Sequence, residues 1–248
     1  MKILLTNDDG IGSPGLLALQ EALKEHEICV VAPDGERSGY SHRITLKEPV
    51  KFVLQSEGVY ACSGTPADCV LYSVHGAIDF EPDVVVSGIN IGPNLGTDLI
   101  YSGTAAAARQ AAFMGIPGIA ISQMLKDKEI EYRQGAEFLN EYIERLVAAW
   151  DKDHFFNINV PYPECTPLEH EITSPSRRIY RDSVESYTAP DGHSYHFLSG
   201  PWPGAESETG TDWDAVSRCR ISVSPIYLHP VPEADLQAYG RKLAARGK

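Results

Sequence analysis

Cysteine is scarce in this chain. The five that occur, Cys29, Cys62, Cys69, Cys165 and Cys219, include no pair spaced C-x-x-C. An odd number without that spacing argues against a disulfide framework and against a zinc knuckle, so all five read as reduced structural thiols. Positive charge is also in short supply: 21 Lys and Arg stand against 34 Asp and Glu, a formal net charge of −13. A nonspecific grip on a nucleic-acid backbone needs a basic face, so nucleic acid is not the expected partner. A small phosphorylated substrate stays open, because a bound cation could supply the positive charge. No apolar run approaches the roughly 18 residues of a membrane span. Met1-Lys2 leads straight into an apolar segment without a signal-peptide pattern, so a cytoplasmic location is expected and no membrane partner. Repeats and low-complexity segments are absent too. The 248 residues suffice for one large domain, or one domain with an appendage.

What is present is an alternation of apolar strands and helices. Residues 2–6, "ICVVAP" (28–33), "DVVVSG" (83–88), "IPGIAIS" (116–122) and "FFNINV" (155–160) read as buried strands. Ser13-Pro14 and Thr65-Pro66 carry the capping residue and first-turn proline of helix starts. The second of these helices is expected to run to about Gly76. "TAAAARQAAFMG" (104–115) predicts a small-residue helix, and 129–150 a long amphipathic one with Tyr132, Leu139, Ile143, Leu146 and Trp150 on one side. Continuous rather than alternating apolar strands mean a parallel sheet covered on both faces. The predicted fold class is therefore α/β, a Rossmann-like, mostly parallel sheet with helices on both faces, over residues 1–160. Prolines multiply after Pro161, and "RRIYRDSVESY" and "HSYHFLSG" read as antiparallel strands. Residues 161–248 form the expected appendage of hairpins, closed by a strand at 221–228 and a helix from about 233 to 246.

The chemistry gathers at strand ends, where ligands bind in open α/β sheets. The first strand halts at Asn7-Asp8-Asp9-Gly10, two adjacent carboxylates at the approach to a helix. At ~4 Å and an effective dielectric of ~20 their repulsion is about 4 kcal/mol, and a bound cation would offset it. The loop after the second strand brings Ser38, and "SGINIGPNLGTDLIYSGT" (87–104) brings Asn90, Asn94, Ser102 and Thr104. These are hard oxygen donors with only two carboxylates among them, which suits one Mg²⁺ or Mn²⁺ with waters and a substrate phosphate completing the shell. "YSGT" opens a helix whose N–H groups form an anion pocket. A cation between two aspartates beside such a pocket is the arrangement phosphate-ester hydrolysis needs.

A rival pattern shares the opening loop: Gly10, Gly12 and Gly15 spell G-x-G-x-x-G, with Asp34 ending the second strand. Physically it fits badly, because a dinucleotide pyrophosphate would meet two carboxylates with no Lys or Arg in the loop. A non-catalytic metal–nucleotide binding module is the other alternative. His42 reads as a solvated loop residue near Ser38, and His193 and His196 as surface or interface residues. Arg177, Arg178 and Arg181 read as a solvated or interfacial face. Trp202 and Trp213 read as packing anchors, although loop aromatics can also stack on bases.

Together "ILLTNDDGIGSPG", "VVAPDGERSGYSHRITL", "SGTPADCVLYSV", "PDVVVSGINIGPNLGTDLIYSGTAAAA" and "GIPGIAIS", with the later "INVP" and "GTDWDAV", resemble the SurE family, the survival-protein-E nucleotidases. The resemblance is dense over 1–160 and thins afterwards. It implies a divalent-metal-dependent phosphatase of nucleoside monophosphates, with 3′-monophosphates and polyphosphate as further substrates. It implies metal ligands at Asp8, Asp9, Ser38 and Asn90, and a phosphate held by Asn94, Ser102, Gly103 and Thr104. It also implies a cytoplasmic homodimer or homotetramer with a C-terminal element exchanged between subunits. One departure is Gly12-Ser13, where the family often has His-Ala. In the mechanism expected from these residues, Asp8 or Asp9 serves as base for the attacking water.

Overall fold

In the computed structural model, which describes residues 1–125, 131–165, 169–229 and 241, the first strand β1 (Lys2–Thr6) lies in the interior of a nine-stranded sheet. Ser13 caps α1 (Pro14–Ala22), its hydroxyl accepting the Leu16 N–H, and Pro14 sits where its missing donor costs nothing. β2 (Glu27–Pro33) follows, then the edge strand β3 (Phe52–Ser56) and β4 (Val59–Cys62), which joins β3 to β2. Thr65 and Asp68 form a reciprocal capping box at the start of α2 (Pro66–Tyr72). β5 (Val84–Ile91), α3 (Gly103–Phe113), β6 (Gly118–Gln123), α4 (Arg133–Ala149) and β7 (His154–Val160) complete the alternation.

β2 and β5 flank β1, all three parallel, and the whole order is β3-β4-β2-β1-β5-β6-β7 followed by two later strands. The chain thus moves outward from β1 on one side and returns to its other side. The crevice at the carboxyl ends of β1 and β5 is the topological switch point. Alternate residues of β1 serve opposite faces. Ile3 and Leu5 pack with Leu16, Leu19, Leu139 and Ile143 of α1 and α4, while Leu4 packs with Val70 and Ala111 of α2 and α3. The alanines of α3 let it lie almost against the sheet: a methyl at Gly118 would stand 2.0 Å from the Ala108 carbonyl oxygen.

The chain beyond Val160 divides its residues between this sheet and small hairpins. β8 (Glu169–Ile172) and β13 (Arg220–Tyr227) extend the sheet, β13 antiparallel to β7 and parallel to β8. β9 (Arg178–Ile179) pairs with β12 (Gly204–Ala205), and β10 (Ser183–Thr188) forms a two-stranded hairpin with β11 (Ser194–Ser199). The short helix α5 (Asp212–Ser217) precedes β13.

Three details differ from expectation. α2 ends at Tyr72, and a wide turn over Ser73–Ala77 carries the chain on to a left-handed Gly76 at φ +94°. α4 begins at Arg133 rather than 129, with Tyr132 at its N-cap. Cys165 and Cys219 are joined by a disulfide, with Cα atoms 5.2 Å apart, which corrects the reading of five free thiols. The reason is topological: Cys165 follows β7 and Cys219 precedes β13, and these strands are antiparallel neighbours. A spacing of 54 residues hides that adjacency. Cys29, Cys62 and Cys69 are free and buried. The helix expected from about 233 to 246 lies outside the described residues, except for position 241.

Candidate active site

Asp8 and Asp9 leave the end of β1, Asn90 the end of β5 and Ser38 the loop after β2, so three strand ends at the switch point converge. Asp8, Ser38, Asn90, Asn94 and Ser102 line one cleft of about 250 Å³. Gly103 and Thr104 lie buried immediately behind it at the start of α3. The loop is built to present the carboxylates. Asn7 donates to the Gly10 carbonyl (3.0 Å) and to Ser13 Oγ (2.6 Å), and accepts from the Gly10 N–H (3.1 Å). Its own side chain is therefore spent on the turn. Gly15 lets α1 approach β5, since a methyl there would stand 2.0 Å from the Ile89 carbonyl oxygen.

Asp8 is buried, and its Oδ1 accepts from Thr104 Oγ1 at 2.5 Å. Burial pushes its carboxyl above the ordinary range, while the Thr104 bond pulls in the other direction. Burial also pushes the Asp9 carboxyl up to about 6, with the Asp8 charge adding to the effect. Asp9 Oδ2 is shielded from solvent and has no hydrogen-bond partner among the described residues. A buried, unpartnered carboxylate oxygen beside a second carboxylate is costly unless something positive binds it. The donor set fits a hard cation. Asn90 commits its N–H groups to the carbonyls of Gly92 (2.8 Å) and Ile91 (3.3 Å), which leaves its amide oxygen for a ligand. Ser38 is exposed on the cleft wall. Among the described residues no group of three or more His, Cys, Asp or Glu could hold a metal. A cation here would thus rely on neutral oxygens as well as the two carboxylates.

α3 aims its N-terminus at this point. Ser102 caps it, accepting the Ala105 N–H at 3.0 Å. Gly103 is required by the contact with Asp8, because a methyl there would lie 2.9 Å from Asp8 Cβ and 3.0 Å from Oδ2. Asn94 is held from three sides: its side chain donates to Ser122 Oγ (2.9 Å), its N–H donates to Asn159 Oδ1 (2.8 Å), and its carbonyl accepts from Asn157 and Asn159. Asn157 and Asn159 were not singled out in the sequence. Their signal is two amides at i, i+2 on one face of an otherwise apolar strand.

Other expectations need correction. His42 is half-buried rather than solvated. It bonds Gln110 at 2.9 Å, stacks on Phe113, and is held below its usual pKa chiefly by burial. Arg178 is buried, not solvated: its Nε donates to Asp98 Oδ2 at 3.0 Å and its guanidinium lies over Trp213. Trp202 is no packing anchor, with 73% of its surface exposed on the rim of the cleft. Trp213 does pack, against Leu95, Met124 and Val216. Asp34 pairs with Arg37 at 2.6 Å. Tyr132 stands close enough to Asp9 that burial, aided by that charge, raises its hydroxyl to about 12.

The family model for survival protein SurE matches residues 3–182. A "5'-nucleotidase SurE" of Geobacter sulfurreducens is 42% identical, over 95% of this chain and 91% of that protein. A "5'-nucleotidase SurE" of Carboxydothermus hydrogenoformans is 41% identical, over 92% and 90%. The crystal structure of a SurE protein from Aquifex aeolicus matches with a TM-score of 0.84 at 34% identity, covering 98% of this chain and all of that one.

Proposed function

The chain belongs to the SurE family, and from that premise we propose that it is a divalent-metal-dependent phosphatase releasing phosphate from nucleoside 5′-monophosphates. One observation supports the metal dependence: Asp9 Oδ2 is shielded from solvent and has no partner among the described residues, next to the buried Asp8. Asp8, Asp9, Ser38 and Asn90 are the residues that would hold Mg²⁺ or Mn²⁺. When bound, the cation supplies charge neutralisation at the phosphoryl oxygens and a lowered pKa for an adjacent water.

The protein's own groups do the rest. The first N–H groups of α3, which have no partner within the helix, are positioned to receive phosphoryl oxygens beside Ser102, Gly103 and Thr104. Asn94 is fixed by the β6–β7 amide network, so a contact it makes to phosphate would lose little entropy on binding. Asp8 or Asp9, the two carboxylates at the end of β1, would accept the proton of an attacking water. Phosphoryl transfer depends mainly on positioning and charge neutralisation, so a cleft with no Lys or Arg among the described residues of its wall can serve when the cation is present. The exposed apolar hairpin β10–β11, with Val184, Tyr187, Phe197 and Leu198 in water, supports association with a second copy.

The test is inorganic phosphate release from nucleoside 5′- and 3′-monophosphates and polyphosphate, with Mn²⁺, Mg²⁺ or EDTA. Metal-dependent release that EDTA abolishes is expected, and Asp8→Asn should lose most turnover with its circular dichroism unchanged. A fully active Asp8→Asn protein would falsify the assignment. Metal-dependent nucleotide binding without release would instead make the chain a binding module.

A further inference from the structure

Beside the catalytic cleft lies a second cavity of about 170 Å³, walled by Met124, Leu125, Tyr162, Trp202 and Trp213. It shares Pro93 and Trp202 with the cleft. A molecule with its phosphate at α3 therefore has an aromatic, apolar recess next to it. Among the described residues one charged side chain lines that recess. Arg178 lines it, and its side chain is only 2% exposed. Its Nε is committed to Asp98 (3.0 Å) and its plane to the Trp213 ring (5.0 Å from guanidinium carbon to centroid). Its Nη1, however, is buried with no acceptor among the described residues. A permanently charged group with an unused N–H just behind the wall of this recess would be satisfied by an acceptor from outside the chain.

We infer that this cavity receives the base of the nucleotide, and that Arg178 makes it selective for 6-oxopurines, guanine and hypoxanthine, over adenine; the inference rests on the nucleotidase reading above. A 6-oxopurine presents two acceptors, O6 and N7, on the edge that guanidinium groups recognise. Adenine keeps N7 but presents an amino donor in place of O6, so it offers Arg178 one acceptor instead of two and sets a donor against the guanidinium. Trp202 supplies the stacking surface. Its exposed indole extends over Gly92, where a methyl would stand 3.7 Å from the ring. A bare aromatic face at the mouth of a recess is what a purine stacks on. Arg178 and Trp202 are thus specificity-determining residues, and Asp98 positions Arg178 between the two cavities.

The experiment compares kcat/KM of the Mn²⁺-loaded protein for GMP, IMP, AMP and ribose 5-phosphate, which has the phosphate and no base. GMP and IMP are expected to exceed AMP at least tenfold. Trp202→Ala should lower kcat/KM for GMP about tenfold, through KM, and lower that for ribose 5-phosphate no more than twofold. Arg178→Lys, which retains a charge for Asp98 but loses the planar N–H pair, should erase the preference for GMP over AMP. Guanosine and adenosine as competitive inhibitors of ribose 5-phosphate hydrolysis give the same comparison in the unaltered protein, so the result does not depend on a variant folding. Equal rates for AMP and GMP with equal inhibition by the two nucleosides would overturn the base assignment and leave the phosphatase reading standing. No release from any ester with any metal would overturn both.

Discussion

Thr104 Oγ1 donates to Asp8 Oδ1 at 2.5 Å, joining residues 96 positions apart and tying the start of α3 to the loop after β1. The bond opposes the effect of burial on the Asp8 carboxyl. Thr104→Val keeps the shape and removes the donor. Hydrogen bonds to charged groups contribute about 1.5–3 kcal/mol, so urea unfolding should show a loss of that order. Phosphate release at pH 7 should fall tenfold or more, because Asp8 then holds its proton more tightly. Native stability and native turnover together would mean that the bond contributes nothing.

Asp9 invites the opposite experiment. Its carboxylate is destabilised by burial and by Asp8, and one of its oxygens has no partner among the described residues. Asp9→Asn removes the charge while keeping the size. In EDTA the variant should melt several degrees above the parent, and added Mn²⁺ should no longer raise its melting temperature. A variant less stable than the parent in EDTA would show that the carboxylate is satisfied without a cation.

Much of the site was legible because its residues stand in contiguous loops at strand ends. Asp8-Asp9, Ser38, Asn90 and Ser102-Gly103-Thr104 each follow or precede a recognisable element, and strand ends meet at a switch point. What stayed hidden depends on lateral neighbours in the sheet. The Cys165–Cys219 bond required knowing that β13 lies beside β7. The support given to Asn94 by Asn157 and Asn159 likewise required the β7 register. Arg178 looked like one charge in an exposed basic cluster because the run Arg177, Arg178, Arg181 carries no sign of the Asp98 and Trp213 that bury it. Local pattern reports propensity and strand ends well, and pairing between distant strands poorly.

The disulfide should be a stability element for the segment that supports the cleft. It closes a loop of 54 residues, for which chain entropy suggests about 4 kcal/mol. The loop contains Asp212, whose Oδ2 accepts from the Gly96 N–H at 2.7 Å and Oδ1 from the Ser176 N–H at 2.9 Å. Reduction by dithiothreitol, or Cys165→Ser with Cys219→Ser, should lower the denaturant midpoint accordingly. Identical midpoints for oxidised and reduced protein would contradict this.

The pH dependence of metal binding follows from the same carboxylate. Asp9 titrates near 6 in the folded protein against 3.8 for the free side chain. Below 3.8 both folded and unfolded states are protonated there, and burial of the group costs nothing extra. Between the two values only the folded state holds the proton, so this group's contribution to the stability of the metal-free protein declines as pH rises through about 6. Asp8, also raised, acts in the same direction. A cation needs the deprotonated form and competes with that proton, so apparent affinity should drop about tenfold for each pH unit below 6. The rise in melting temperature on adding a fixed concentration of Mn²⁺ should therefore be small at pH 5, larger at pH 6 and level above pH 7. A shift independent of pH across that range would remove Asp9 from the ligand set, because a carboxylate with this titration cannot bind a cation without releasing its proton.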